Sequence, residues 1–190
     1  SSIELIHPDL DNGLGGSWRL STAEAEQDGA PWEELVFIDH NDRKWRYKKG
    51  TSPPAGGAAW READYSENGD WKTGRTSIGY GDNDDQTLLA DMRNNYSTVY
   101  LRHRFVVPDP DTVPALQLKL YVDDGCIVWI NGREVARRHV AGGAMSHNST
   151  SGVTDHEREW ELIDLPDPGS FLKKGDNVIA VHVINATLGS

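Results

Sequence analysis

The sequence lacks several features that mark whole classes of protein. A single cysteine among 190 residues excludes a disulfide within the chain, and Cys126 lies in an apolar segment where a buried free thiol is expected. No stretch approaches the ~20 consecutive apolar residues of a membrane-spanning helix, and the first residues lack the basic-then-apolar order of a signal peptide. We therefore expect a soluble module without membrane insertion.

Positive charge is also scarce. The chain has 19 lysine and arginine residues against 30 aspartate and glutamate residues, a formal net charge of −11. A surface of this sign repels a phosphate backbone and an anionic membrane. The balance argues against a nucleic-acid partner and favours a neutral ligand or a cation.

Helical periodicity is absent, since no window of about a dozen residues keeps its apolar positions at spacings of three and four. Residues 116–122 instead alternate between apolar and polar side chains, the period of two that places one face of a strand in a core. After an acidic corner, the apolar run 126–130 ends at Asn131-Gly132, the dipeptide that best tolerates the two positive φ angles of a type I′ turn. This pattern predicts a hairpin whose returning strand covers 133–137.

Further strands are indicated by alternation, β-branched residues and flanking turn residues. They are predicted over 35–38, 44–47, 99–107, 160–165 and 178–184. One helical turn is predicted over 171–174, between Ser170 and Gly175. The predicted fold class is all-β, an antiparallel β-sandwich with very little helix. Residues 35–190 are expected to form the sandwich, and residues 1–34 an N-terminal arm or linker packed on it.

Three segments carry a resemblance to a known fold. They are the hairpin Ile-Asn-Gly-Arg-Glu-Val at 130–135, the turn Phe-Leu-Lys-Lys-Gly-Asp-Asn at 171–177, and the strand at 178–183. Together they resemble the galactose-binding-like jelly roll of glycoside hydrolase sugar-binding domains and carbohydrate-binding modules. Residues 71–85 are similar to such modules in large secreted bacterial multidomain proteins. Residues 3–6 are similar to the segment that follows a lamin-tail-like domain in those proteins.

The resemblance implies a non-catalytic polysaccharide-binding module, secreted or on a bacterial cell surface, beside neighbouring domains of a parent protein. We expect it to be a monomer. Proteins of this kind continue past the position of Asn185 with one more strand, so the final strand is expected to be missing or replaced by the N-terminal arm. The alternative is a structural spacer or adhesion domain with no glycan ligand. A hydrolase would need two carboxylates across one cleft, which the sequence does not indicate, and we expect no enzymatic activity.

Two acidic clusters are candidate calcium sites. One is Asp82, Asp84 and Asp85 in a glycine-rich loop, and the other is the pair Asp123 and Asp124 at a strand end. Ca²⁺ takes about six to eight hard oxygen ligands at flexible angles, which such loops supply. The pair also resembles the calcium-holding aspartates of lectin-like modules. The alternative for both clusters is that the carboxylates accept hydrogen bonds from backbone N–H groups and fix a turn.

Exposed aromatic rings beside polar loops are the expected signature of a sugar site, because a sugar stacks its C–H face on the ring and directs its hydroxyls to polar groups. The ligand-binding candidates are Trp60, Trp71, Tyr80, Trp129, Arg138 and Asn148. Trp129 lies on the strand face opposite Val128, so its ring must be either covered by loops or exposed. Burial of Trp71, Tyr80 and Trp129 together would favour the spacer alternative.

Overall fold

The computed structural model describes residues 2–6, 35–40, 42–81, 85–153 and 160–189. The strands are β1 (Ser2–Ile6), β2 (Trp45–Lys49), β3 (Lys72–Gly74), β4 (Ile78–Gly79), β5 (Thr87–Leu88), β6 (Thr98–Val107), β7 (Leu116–Tyr121), β8 (Gly125–Ile130), β9 (Arg133–Arg138), β10 (Trp160–Leu165) and β11 (Gly175–Ile184). Short 3-10 turns cover Gly57–Arg61, Pro110–Thr112 and Pro168–Ser170. Within these described ranges there is no α-helix, and no helix is long and apolar enough to cross a membrane.

The strands form two antiparallel sheets and one short parallel pair. The larger sheet has six strands in the order β3-β2-β6-β11-β8-β9, and the smaller has three in the order β1-β7-β10. The parallel pair is β4 with β5. The prediction of an all-β, antiparallel sandwich of jelly-roll type is confirmed.

The predicted hairpin is present. Asn131 and Gly132 have φ angles of 49° and 83°, and Ile130 pairs with Arg133, which leaves a two-residue loop as a type I′ turn requires. The Asn131 side chain also accepts a hydrogen bond from the N–H of Val178 at 3.0 Å. This bond ties the turn to β11, the strand beside β8.

The main core lies between the two larger sheets. Alternate residues of β7 (Leu116, Leu118 and Leu120) point inward and are almost completely buried, as the alternating pattern predicts. Cys126 on β8 is a buried free thiol in this core, which confirms the sequence-based expectation. Burial raises the pKa of this thiol to about 12.

A second apolar cluster covers the other face of the six-stranded sheet. Residues 57–71, called the strap below, cross this face and bring Trp60 and Trp71 against Tyr100 and Trp129 of the sheet. With the strap on this face and the main core on the other, β8 and most of β6 and β11 are buried on both faces. The ring of Trp129 is covered by a loop, one of the two outcomes that its strand position allowed.

Two local predictions are wrong. Residues 35–38 form no strand: only Ile38 makes an isolated bridge, while Leu35 and Val36 are exposed and have no ladder to stabilise them. The helical turn lies at Pro168–Ser170 rather than over 171–174. Proline at its first position favours the earlier start, and Gly175 already belongs to β11.

The first described segment lies at the edge of the smaller sheet. β1 pairs antiparallel with β7, with Ser2 opposite Tyr121 and Ile6 opposite Gln117. The β7 strand thus has a partner on each side, β1 and β10.

Candidate functional site

Three of the four predicted sugar-stacking rings are buried. Trp60, Trp71 and Trp129 are 2%, 4% and 4% exposed. The Trp60 ring lies 5.6 Å from that of Trp129 and 5.0 Å from that of Tyr100, both edge-on. The strap and the sheet bury each other's apolar surface, so these three candidate rings lack the exposed face on which a sugar stacks.

Ion pairs between the strap and the sheet hold the strap in position. Arg46 and Arg102 are directly opposite each other on β2 and β6, where like charges repel. Glu67 of the strap accepts from Arg46 Nε at 2.6 Å and from Arg102 Nε at 3.1 Å. Arg102, 1% exposed, also donates to the carbonyls of Trp60 and Glu62. These groups hold the strap in place over the three buried tryptophan rings.

His182 of β11 lies under the same cover. Its ring stacks on Tyr100 at 4.3 Å with an interplanar angle of 9°. Burial, with smaller effects of Arg61 and His147, lowers the pKa of His182 to about 3. The imidazole is therefore neutral in the folded protein at ordinary pH.

The next candidates are Tyr80 and the acidic corner, which is formed by Asp123 and Asp124. Tyr80 is half-buried and packs against the main core, and burial raises the pKa of its hydroxyl. Asp124 has a left-handed φ of 62°, and its Oδ2 accepts from the N–H of Ala186 at 2.8 Å. This bond supports, for Asp124, the interpretation that the corner carboxylates accept from backbone N–H groups and fix a neighbouring loop.

The second acidic cluster is only partly described. Asp85 lies beside Gly79, with its Oδ1 3.0 Å from the point that a Cβ at Gly79 would occupy. Asp82 and Asp84 lie outside the described residues. Among the residues that the structure describes, no three histidine, cysteine or acidic side chains form a group that could hold a metal ion.

The two polar candidates have local partners. Arg138 Nε donates to Glu161 Oε2 at 2.8 Å, and His139 Nε2 lies 2.9 Å from the other oxygen of the same carboxylate. Asn148 is exposed, and its Oδ1 accepts from Ser146 Oγ at 2.5 Å. Arg138 thus belongs to an ion-pair cluster, whereas Asn148 is accessible at a loop surface.

An exposed tryptophan that was not among the predicted site residues lies on the outer face of the smaller sheet. Trp160 of β10 is 46% exposed and directly opposite Tyr121 of β7, with ring centroids 5.2 Å apart. The Lys119 ammonium lies 4.8 Å from the Trp160 ring centroid, and His40 meets the ring edge-on at 6.4 Å. These contacts orient the indole while leaving much of it open to solvent.

The same face continues with polar groups. Leu162, 54% exposed, pairs with Lys119, and Asp164 pairs with Gln117. Gln117 Nε2 donates to Asp164 Oδ1 at 2.7 Å. We call the six outward side chains Gln117, Lys119, Tyr121, Trp160, Leu162 and Asp164 the platform. It is a row of three cross-strand pairs, aromatic at one end and polar at the other.

The sequence contained part of the signal for this face. In the predicted strand 160–165, alternation places Trp160 and Leu162 on one face and Ile163 and Leu165 on the other. Each face carries two large apolar residues and one acidic residue, so the packing of β10 in the smaller sheet decides which face is buried.

Comparison with known proteins finds solved structures that are similar to this chain, but no matching family. No protein-family model matches the chain, and no curated protein matches it. A β-glycosidase from Bacteroides vulgatus is similar over 76% of this chain and 17% of its own, at 19% identity and a TM-score of 0.45.

Two β-glucuronidases give a comparable likeness. One from Ruminococcus gnavus is 11% identical, with a TM-score of 0.47, 75% of this chain covered and 20% of its own. One from an uncultured Clostridium sp. is 20% identical, with a TM-score of 0.46, 80% of this chain covered and 24% of its own. This chain spans less than a quarter of the length of these enzymes. The likeness is to a β-sandwich portion of the glycosidases and concerns the fold alone.

Proposed function

We propose that this chain is a non-catalytic carbohydrate-binding module that binds a glycan on the platform. The observation that carries the proposal is the half-exposed Trp160 ring beside Tyr121 on an outward sheet face. Its setting is a secreted or surface-attached bacterial multidomain protein, in which the module directs its parent to a polysaccharide. A purified domain that leaves this polysaccharide uncleaved fits the proposal, whereas hydrolysis contradicts it.

The chemistry of the platform suits a sugar. The C–H face of a pyranose stacks on indole or phenol rings, and such contacts bury apolar surface without desolvating the hydroxyls. Gln117 and Asp164 together offer a further amide N–H and several acceptor oxygens to the hydroxyl groups of a bound sugar. Stacking and hydrogen bonding are thus available on one face.

Trp160→Ala is expected to weaken binding at least about tenfold, because a central tryptophan contributes a large share of the binding energy in such sites. The measurement is retardation in native gels that contain soluble xylan, mixed-linkage β-glucan or galactomannan. Trp160→Phe should retain part of the affinity, since a smaller ring remains available for stacking.

Leu88→Ala is the matched control for this experiment. Leu88 is the most exposed large apolar side chain of the described residues, and it lies on β5, outside the smaller sheet. Its truncation should leave retardation unchanged. Equal retardation of Trp160→Ala and the parent protein would move the glycan site away from the platform.

The calcium ion stays a prediction. Ca²⁺ at about 100 times its Kd should stabilise the fold by about 2.7 kcal/mol and raise the Tm by several degrees, an increase that EDTA removes. Asp84→Asn should abolish the increase. Asp124→Asn should preserve it, since Oδ2 of Asp124 is already engaged by Ala186. An identical Tm in Ca²⁺ and in EDTA would contradict a structural calcium ion.

The spacer function has one observation in its favour. Trp71 and Trp129 are buried, and Tyr80 is half-buried, so most of the rings first considered for sugar contact stabilise the domain instead. In this case Trp160 and Leu162 would pack against a neighbouring domain. Absence of retardation by every polysaccharide, combined with a native melting transition, would favour the spacer.

A further inference from the structure

The platform is longer than one sugar ring. Its pairs are Tyr121 with Trp160, Lys119 with Leu162 and Gln117 with Asp164. At a rise of about 3.3 Å per residue, Trp160 and Asp164 are about 13 Å apart along β10. A single pyranose stacked on Trp160 therefore cannot also reach the polar end.

The polar end of the platform, Gln117 and Asp164, has groups that can form hydrogen bonds with sugar hydroxyls. One N–H of the Gln117 amide is used by Asp164 Oδ1. The second N–H, the amide oxygen and Asp164 Oδ2 have the donor and acceptor character that a sugar hydroxyl complements, because a hydroxyl both donates and accepts. The pairing also holds both side chains in one orientation, which lowers the entropy lost when a ligand binds.

The shape and charge of the platform restrict the ligand further. Within the part of the chain that the structure describes, all six side chains point outward from adjacent antiparallel strands and form a flat face rather than the concave pocket that encloses a small ligand. The formal net charge of −11 disfavours a polyanion, and the platform itself carries one ammonium, Lys119, and one carboxylate, Asp164, as a neutral ligand suits.

Resting on the proposed function, we infer that the ligand is a neutral, extended polysaccharide that lies along β7 and β10. One sugar unit stacks at Trp160 and Tyr121, and a later unit of the same chain bonds to Gln117 and Asp164. The module thus binds the interior of a chain rather than a monosaccharide or a chain end.

The test is isothermal titration with xylo-, cello- and manno-oligosaccharides of one to six units. Affinity should rise with length up to roughly three units, the length that about 13 Å of strand accommodates. Glucose, xylose and mannose should not bind measurably. Polygalacturonate, a polyanion, should not retard the protein in gels.

Asp164→Ala separates this inference from the proposed function. The variant should bind trisaccharides and longer chains about tenfold less tightly, the effect of losing a hydrogen bond to a charged group. Binding of a disaccharide should be unchanged, whereas Trp160→Ala weakens binding at every length.

The contrary outcomes are also distinct. Equal affinity for a monosaccharide and a hexasaccharide, or a uniform effect of Asp164→Ala at all lengths, would overturn the extended-chain inference and leave the platform as a sugar site. Full binding by Trp160→Ala would overturn the platform as the glycan site, and with it this inference, whereas absence of binding to every polysaccharide would overturn the proposed function itself. Binding of polygalacturonate in preference to neutral chains would overturn the neutral ligand class.

Discussion

Glu67→Gln is expected to lower the free energy of unfolding by about 3–5 kcal/mol, the usual cost of removing one partner from a buried ion pair. The variant leaves Arg46 and Arg102 opposite each other without their shared carboxylate, and Arg102 is 1% exposed. Glutamine keeps only one acceptor oxygen, replaces the other with an N–H donor group, and supplies no charge. Urea denaturation followed by tryptophan fluorescence measures the change.

Glu134→Gln is the matched control, since it makes the same substitution in an exposed pair. Glu134 accepts two hydrogen bonds from Arg137, at 2.8 and 2.9 Å, but its side chain is 41% exposed. A pair of this kind contributes about 0–1 kcal/mol. Equal destabilisation by the two variants would show that Glu67 is no more important than a surface carboxylate.

Acidification is expected to destabilise the domain through His182 before most carboxylates titrate. The folded-state pKa is about 3, whereas an unfolded histidine titrates near ~6.5. Between these two values the unfolded chain holds one more proton, so stability falls as pH falls. The loss amounts to about 3 kcal/mol by about pH 4.5, at ~1.4 kcal/mol per pH unit.

His182→Phe isolates this effect because it keeps a flat ring against Tyr100 and removes the titrating nitrogens. The slope of unfolding free energy against pH should flatten in the variant between about pH 6.5 and 4.5. The readout is the slope, so a change in absolute stability does not matter. Parallel curves for the two proteins would contradict a neutral, buried His182.

Much of the fold was predictable because its signals are local. Asn131-Gly132 needs only its own φ preferences to set the hairpin, and the alternation in β7 needs only the strand period. Residues 35–38 show the limit: their composition suits a strand, but a strand exists only where a partner supplies the ladder.

The site was less predictable because burial of an aromatic ring depends on residues distant in sequence. Trp129 is covered by Trp60 of the strap, about seventy residues earlier, and the strap has no periodicity to indicate which sheet face it crosses. Trp160 is a similar case: alternation groups it with Leu162 on one face of its strand, but the packing of β10 decides that Ile163 and Leu165 are the buried face.

The rate at which the single cysteine, Cys126, reacts with a thiol reagent can report how often the six-stranded sheet opens. Cys126 is in β8, a strand with a partner on each side, and its thiol is fully buried with a raised pKa. Because the thiolate is the reactive form, a thiol reagent modifies it only in molecules whose six-stranded sheet has opened. The labelling rate therefore measures the population and lifetime of the open state. The effects of Glu67 and His182 on opening are accessible in the same way, without an engineered probe.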